Sequence, residues 1–192
     1  MILQRVLQYA QQLLKDNIKE GDTVVDATAG NGHDTLFLAQ LVGDEGQVYA
    51  FDVQKEAVDA TLLRLLDHGL EHRALVLNKG HEEVTQFVHK PVTAAIFNLG
   101  YLPGSNHDII TRPNTTIQAI ENILKLLKVG GLIVLVIYHG HPGGKEERDK
   151  VIDYVSQLPQ KYVHVLKYAF LNQQNDPPFV IALEKMKEYP IQ

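Results

Sequence analysis

Short apolar runs alternate with amphipathic stretches along almost the whole chain. The N-terminal stretch MILQRVLQYAQQLLKDNIKEGD carries apolar positions at helical spacing with Gln and Lys between them, and predicts a leading amphipathic helix. It is followed by a strand at 23–28, a helix at 33–42, a strand at 47–52 and a helix at 54–67. A strand at 73–77, a short helix near 81–88 and the strand Ala94–Asn98 come next. Brief apolar runs of this kind are expected where helices cover both faces of a parallel sheet. The segment TTIQAIENILKLLKVGG predicts a helix capped by Asn114 or Thr115 and stopped at Gly130-Gly131. Leu132–Tyr138 is the most apolar strand and is expected centrally in the sheet, and a charged helix begins near Lys145. The ending breaks the alternation. Tyr162–Leu171 and Phe179–Glu184 read as strands joined only by the polar turn 172–177. A parallel return needs a crossover, so these two must pair antiparallel or separate. The pattern predicts an α/β fold: a Rossmann-like doubly wound sheet of seven strands, mostly parallel with an antiparallel C-terminal strand. No repeat, low-complexity tract or linker interrupts it, so one domain over residues 1–192 is expected.

Composition narrows the class without naming a chemistry. The 192 residues are 45% hydrophobic and 21% charged, as in ordinary soluble domains. No apolar run reaches the roughly 18 residues that span a bilayer, and the first helix lacks the apolar core and cleavage site of a signal peptide. The absence of cysteine excludes disulfides, thiolate catalysis and cysteine-ligated metals. A cytoplasmic protein without a membrane partner is the expectation. A net charge of −5 argues against coating nucleic acid by charge alone, and leaves room for local recognition through a basic rim.

Candidate chemistry starts where the first strand ends, at Asp26-Ala27-Thr28-Ala29-Gly30-Asn31-Gly32-His33-Asp34, with a second acid, Asp52, closing the next strand. A small-residue turn lets backbone N–H groups approach a ligand, and the later carboxylate can accept hydrogen bonds from ribose hydroxyls. Asp26 or Asp52 alone reads equally well as a cap or turn former; the pair at this spacing favours a ligand. A dinucleotide site needs G-x-G-x-x-G, but position 35 is Thr. Asp26 and Asp34 also bracket the turn with negative charge, which suits a sulfonium and an ammonium better than a pyrophosphate. Further along, Asn98-Leu99-Gly100-Tyr101-Leu102-Pro103 follows the fourth strand and His139-Gly140-His141-Pro142-Gly143-Gly144 follows the fifth. Both loops fall at the edge where α/β sheets bind ligands. His139-x-His141 offers two imidazoles without a third ligand, so no metal is expected. Arg112, Lys145, Arg148 and Lys150 lie near these loops and are suited to phosphates, although Glu146, Glu147 and Asp149 make a solvated, salt-bridged face an equal reading.

On DATAGNG, Asp52 and the closing strand pair, the chain resembles the class I S-adenosylmethionine-dependent methyltransferases. The resemblance implies that Asp26, Ala29, Gly30, Asn31, Gly32 and Asp34 surround the methionine and ribose of the cofactor. Asp52 and Gln54 then bind the ribose hydroxyls, and Gly80, His81 and Glu82 contact adenine. NLGYLP resembles the N-P-P-Y motif of amino-group methyltransferases, with Leu99-Gly100 in place of two prolines. Asn98 would then border the cofactor and orient the target amine, and Tyr101 would stack on the substrate. Together with HGHPGG, these motifs make the chain similar to the small bacterial rRNA-methylase-like family, understood as tRNA 5-(aminomethyl)-2-thiouridine methyltransferases. That likeness implies a tRNA anticodon stem-loop as partner. The alternatives are another RNA position, a small-molecule amine, or a non-catalytic S-adenosylmethionine-binding subunit. A primary alkylamine must lose a proton before it attacks, which makes His139, His141 and Asp108 candidate helpers; either histidine can instead serve the substrate uridine or the turn. The strand pair near 162–184 is a candidate homodimer surface.

Overall fold

The computed structural model of the chain describes residues 2–100 and 111–188. Helix α1 (Val6–Asn17) leads into β1 (Thr23–Asp26), α2 (His33–Val42), β2 (Gln47–Phe51), α3 (Lys55–Asp67) and β3 (Ala74–Leu77). A 3-10 turn at His81–Glu83 precedes α4 (Val84–Phe87), then β4 (Val92–Leu99), α5 (Pro113–Leu126) and β5 (Leu127–Ile137). Helix α6 (Gly144–Ser156) and the strands β6 (Val163–Tyr168) and β7 (Phe179–Lys185) complete the chain. The seven strands form one sheet in the order β3-β2-β1-β4-β5-β7-β6. All neighbouring pairs from β3 to β5 are parallel. β7 runs antiparallel to both β5 and β6, and so is the one reversed strand.

Strand residues alternate between two apolar layers, as a sheet covered on both sides requires. Ala95, Phe97 and Leu135 face α4, α5 and α6, while Ala94, Ile96, Val134 and Val136 face α1, α2 and Leu65 of α3. Among the described residues no helix is long and apolar enough to cross a membrane.

The expected elements are all present, with shifted ends. β1 stops at Asp26, not 28, because the chain there leaves the sheet for the turn, and β6 is confined to Val163–Tyr168. Helix α5 begins with Pro113, whose missing N–H costs nothing at a first helical position, and Arg112 takes the capping place. Its end differs most: the helix stops at Leu126, and β5 starts at Leu127 instead of Leu132. Val92 pairs with Leu127 and Ala94 with Leu132, so extra residues bulge out of β5 between these pairs. Gly130 makes this possible with φ +79°, and Gly131 packs where a Cβ would collide with Leu127 and the Thr93 carbonyl.

The strand order reverses between β1 and β4. Open α/β sheets bind ligands outside the carboxyl ends of their strands at such a point. Asp26 pairs with Ile96 across it, which brings the end of β1 beside Asn98 of β4.

Candidate active site

Beyond Asp26 the backbone stays anchored to the sheet at two points, with Ala27 N–H donating to Ile96 O (2.9 Å) and Ala29 N–H to Phe51 O (2.9 Å). Gly30 (φ +53°) and Gly32 (φ +79°) then bend the chain into α2. At Gly32 the turn lies so close to α3 that a Cβ would sit 2.8 Å from the Thr61 Cα. Helix α3 holds the turn from below: Thr61 Oγ1 donates to Gly30 O (3.1 Å), and Arg64 Nε to Asn31 O (2.7 Å). Asp52 ties the same parts together from above. One carboxylate oxygen accepts Gly30 N–H and the other accepts Gln54 N–H, each at 2.9 Å. An ionised carboxylate has about four lone-pair sites, so this half-exposed group is pre-oriented and keeps accepting capacity for vicinal hydroxyls.

Asp26 is fully buried. Its oxygens accept from Thr35 Oγ1 (2.6 Å) and Thr28 N–H (3.1 Å). Burial, reinforced by the charge of Asp34, pushes its carboxyl up to about 7 against those two bonds. Asp34, in the first turn of α2, accepts from Asn98 Nδ2 (2.5 Å), and the Asn98 backbone N–H donates to Thr28 Oγ1 (2.7 Å). The Asn98 amide is thus aligned at the switch point with its donor side committed to Asp34.

The third strand's end supplies His81, Glu82 and Gly80. His81 is buried, and its Nδ1 donates to Ala27 O (2.9 Å). Burial lowers its basicity, so it supports the turn as a neutral ring packed on Phe97. The half-buried Glu82 folds its carboxylate over Gly80, and Asn122 of α5 fixes its carbonyl at 2.9 Å.

The expected role of His139 as a proton acceptor is not borne by its contacts. Its Nε2 lies 3.1 Å from Pro177 O, and its Nδ1 lies 3.3 Å from an Arg148 guanidinium nitrogen. A carbonyl can only accept and a guanidinium can only donate. Both ring nitrogens are thus engaged, and the ring anchors the turn before β7. His141 is half-buried between Gly100 and Gly144. Burial, then the charge of His139, holds its imidazole below the usual range. Tyr101 and Asp108 lie outside the described residues. Lys145, Arg148 and Lys150 are paired with Asp176 (3.2 Å), Asp149 (2.8 Å) and Glu146 (2.8 Å), as the salt-bridged reading expects, while Arg112 is exposed.

Three contributors were not expected at the site, and one of them, Glu147, read as part of a solvated face, is buried instead. Gln11 of α1 lies close enough to Asp34 to favour its charged form. The phenol of Tyr138 lies near enough to Asp34 that burial and that charge both raise its pKa. Glu147, buried in α6, accepts from Thr111 Oγ1 (2.6 Å) and Thr116 Oγ1 (2.8 Å). Thr111 in turn bonds Gly100 through N–H to O (3.2 Å), and Gly100 N–H returns to Thr111 Oγ1 (3.1 Å). Apart from the Gly100–Thr111 pair, these contacts join residues more than twenty positions apart, which periodicity and motif spacing do not report.

The chain is similar to known proteins over most of its length. Residues 48–184 match the rRNA methylase family profile. The chain is 38% identical over 192 residues to the Arabidopsis thaliana "tRNA (mnm(5)s(2)U34)-methyltransferase, chloroplastic", covering 94% of this chain and 70% of that protein. A Clostridium thermocellum structure described as an rRNA-methylase superposes with a TM-score of 0.95 at 44% identity, over 96% of this chain and 100% of the other. A Streptococcus mutans methyltransferase in complex with SAH gives a TM-score of 0.88 at 37% identity, over 96% and 99% of the two chains. The residues present fit S-adenosylmethionine: Asp52 keeps accepting capacity for hydroxyls beside the Gly30 turn, and Asp26 places a buried acid beneath it. The chain belongs to the rRNA methylase family of class I S-adenosylmethionine-dependent methyltransferases.

Proposed function

We propose that this enzyme methylates the primary amine of 5-aminomethyl-2-thiouridine at the wobble position of tRNA, giving 5-methylaminomethyl-2-thiouridine in the cytoplasm. The observation that carries the reading is the setting of Asn98. Its backbone N–H is held by Thr28 and its amide NH₂ by Asp34, so its amide oxygen is left as the acceptor for an incoming N–H at the mouth of the cofactor turn. The plant relative named for the same wobble modification supports the choice of acceptor.

In this reading Asp52 and Gln54 hold the ribose, and Ala29, Gly30, Asn31 and Gly32 wrap the methionine end. Glu82 borders adenine with His81 supporting from beneath, Asp26 supplies buried negative charge, and Tyr101 stacks on the substrate. S-adenosylmethionine supplies an electrophilic methyl group, and positioning of the amine in line with it provides much of the acceleration. The substrate is the anticodon stem-loop. Its phosphates meet the exposed Arg112 first, because the other basic side chains near the site are already ion-paired.

Nucleoside mass spectrometry of tRNA from a deletion strain tests the reading. 5-Aminomethyl-2-thiouridine accumulates, and the gene clears it whereas an Asp52→Ala variant does not. Unchanged wobble nucleosides in a strain that makes the precursor reject it.

A further inference from the structure

Asp34 stands among the cofactor residues by its place in the sequence, but its surroundings belong to the acceptor side. Asp52 is drawn toward the Gly30 and Gln54 N–H groups, and Asp26 is sealed under Thr28 and Thr35. Asp34 instead sits half-buried at the mouth and touches elements that flank the acceptor path. Asn98 of β4 donates to it at 2.5 Å, the Gln11 amide of α1 lies close by, and the Tyr138 phenol after β5 lies within its field. It therefore lies beside the one amide whose oxygen faces an incoming amine.

We infer that Asp34 is a catalytic residue: its carboxylate binds the acceptor as a protonated primary amine and takes the proton that frees the nitrogen lone pair. The inference rests on the amine acceptor proposed above. A primary alkylamine is cationic at neutral pH, since its basicity resembles that of a lysine, and a cation is what a desolvated acid attracts. The balance is closed. R–NH₃⁺ and the Asp34 carboxylate become R–NH₂ and the Asp34 carboxylic acid. The nitrogen–methyl bond then forms as the methyl–sulfur bond breaks, leaving a secondary ammonium, and Asp34 releases its proton to solvent.

The groups facing Asp34 fit this exchange. Burial raises its proton affinity above that of an ordinary carboxylate, while the Asn98 bond, the adjacent His33 and the nearby Gln11 amide pull the other way. Asp26 on β1 lies within reach of its charge, as does Tyr138 after β5. Asp34 thus sits in a place where taking a proton from the acceptor relieves desolvation.

The test is Asp34→Asn, a near-isosteric change that keeps an oxygen for Asn98. Calorimetry should give dissociation constants for S-adenosylmethionine and S-adenosylhomocysteine within threefold of the wild type. Single-turnover methylation of tRNA carrying 5-aminomethyl-2-thiouridine should fall about 100-fold or more at pH 7, as loss of a general base does. The deficit should shrink below about tenfold by pH 9.5, where the free amine is available without help. Cofactor affinity that falls as far as turnover assigns Asp34 to the cofactor and overturns the inference. A deficit of constant size across pH also overturns it, by showing a purely geometric role. Failure of the wild type itself to methylate this tRNA removes the amine acceptor, and the inference with it.

Discussion

Asp26 shows how a single buried acid trades stability for a ligand. Its folded carboxyl titrates at about 7 against 3.8 for the free side chain, chiefly because of burial. The unfolded chain therefore ionises first, and stability present below about pH 4 is lost as the pH rises toward 7. At roughly 1.4 kcal/mol per pKa unit the full penalty is on the order of 4 kcal/mol. The melting temperature of the cofactor-free protein should accordingly fall between pH 5 and 8, and cationic S-adenosylmethionine should restore more of it at pH 8 than at pH 5. Asp26→Asn, which keeps an oxygen for Thr35 or Thr28, should flatten the curve and melt higher than the wild type at pH 8 without cofactor. An Asp26→Asn protein with the same pH dependence as the wild type would show that the buried charge lies elsewhere.

At the scale of elements, the turn between β1 and α2 is set by how closely it lies on α3. Gly32 and Gly69 have similar left-handed backbones, φ +79° and +66°, but a Cβ at Gly69 meets nothing within 4 Å, whereas at Gly32 it would strike Thr61. Both alanine variants carry the left-handed strain of about 1–2 kcal/mol. Only Gly32→Ala must also push α3 away and disturb the Thr61 and Arg64 bonds to the turn. We expect Gly32→Ala to weaken S-adenosylhomocysteine binding at least tenfold by calorimetry, with Gly69→Ala unchanged; equal effects would mean that the contact with α3 is immaterial. The same distinction explains what was legible in the sequence. Strands such as Gln47–Phe51 and helices such as His33–Val42 follow from local apolar period, and their observed bounds match the expected ones closely. The start of β5 does not, because Leu127–Gly131 joins β4 through a bulge that only the partner strand dictates. Asp26, Asp52 and Asn98 are readable because a turn and two strand ends place them together. Gln11, Tyr138 and Glu147 are not, since each meets its partner only after the sheet has assembled. His139 looked available because its carbonyl partner, Pro177, lies beyond α6 and β6 in the chain.

For the molecule as a whole, the two apolar layers share every central strand. Val134 and Val136 pack toward α1 and α2, while Ile133 and Leu135, one residue away, pack toward α5 and α6. Loss of either layer exposes one face of β4 and β5, so neither side has a sheet of its own to retain. We therefore propose that the chain unfolds as one cooperative domain. Helix α1 provides the sharpest probe, because it is the first element and its Leu14 is fully buried against the sheet. It is also joined to the last strands by Tyr9 stacked on Tyr168 at 4.0 Å, and by the Tyr168 hydroxyl donating to Gln4 O at 2.7 Å. Leu14→Ala should cost about 2–5 kcal/mol, as truncation of a buried leucine does. In urea its midpoint should fall with the slope unchanged, and tyrosine fluorescence and far-ultraviolet circular dichroism should report one coincident transition. Ile120→Ala, on the opposite face in α5 and equally buried, should behave the same way. Two separated transitions, or a reduced slope in Leu14→Ala alone, would mean that α1 and its layer come apart before the rest. Coincident transitions for both variants would show that the cofactor turn, the Asn98 strand and the packing of α1 on the sheet stand or fall together.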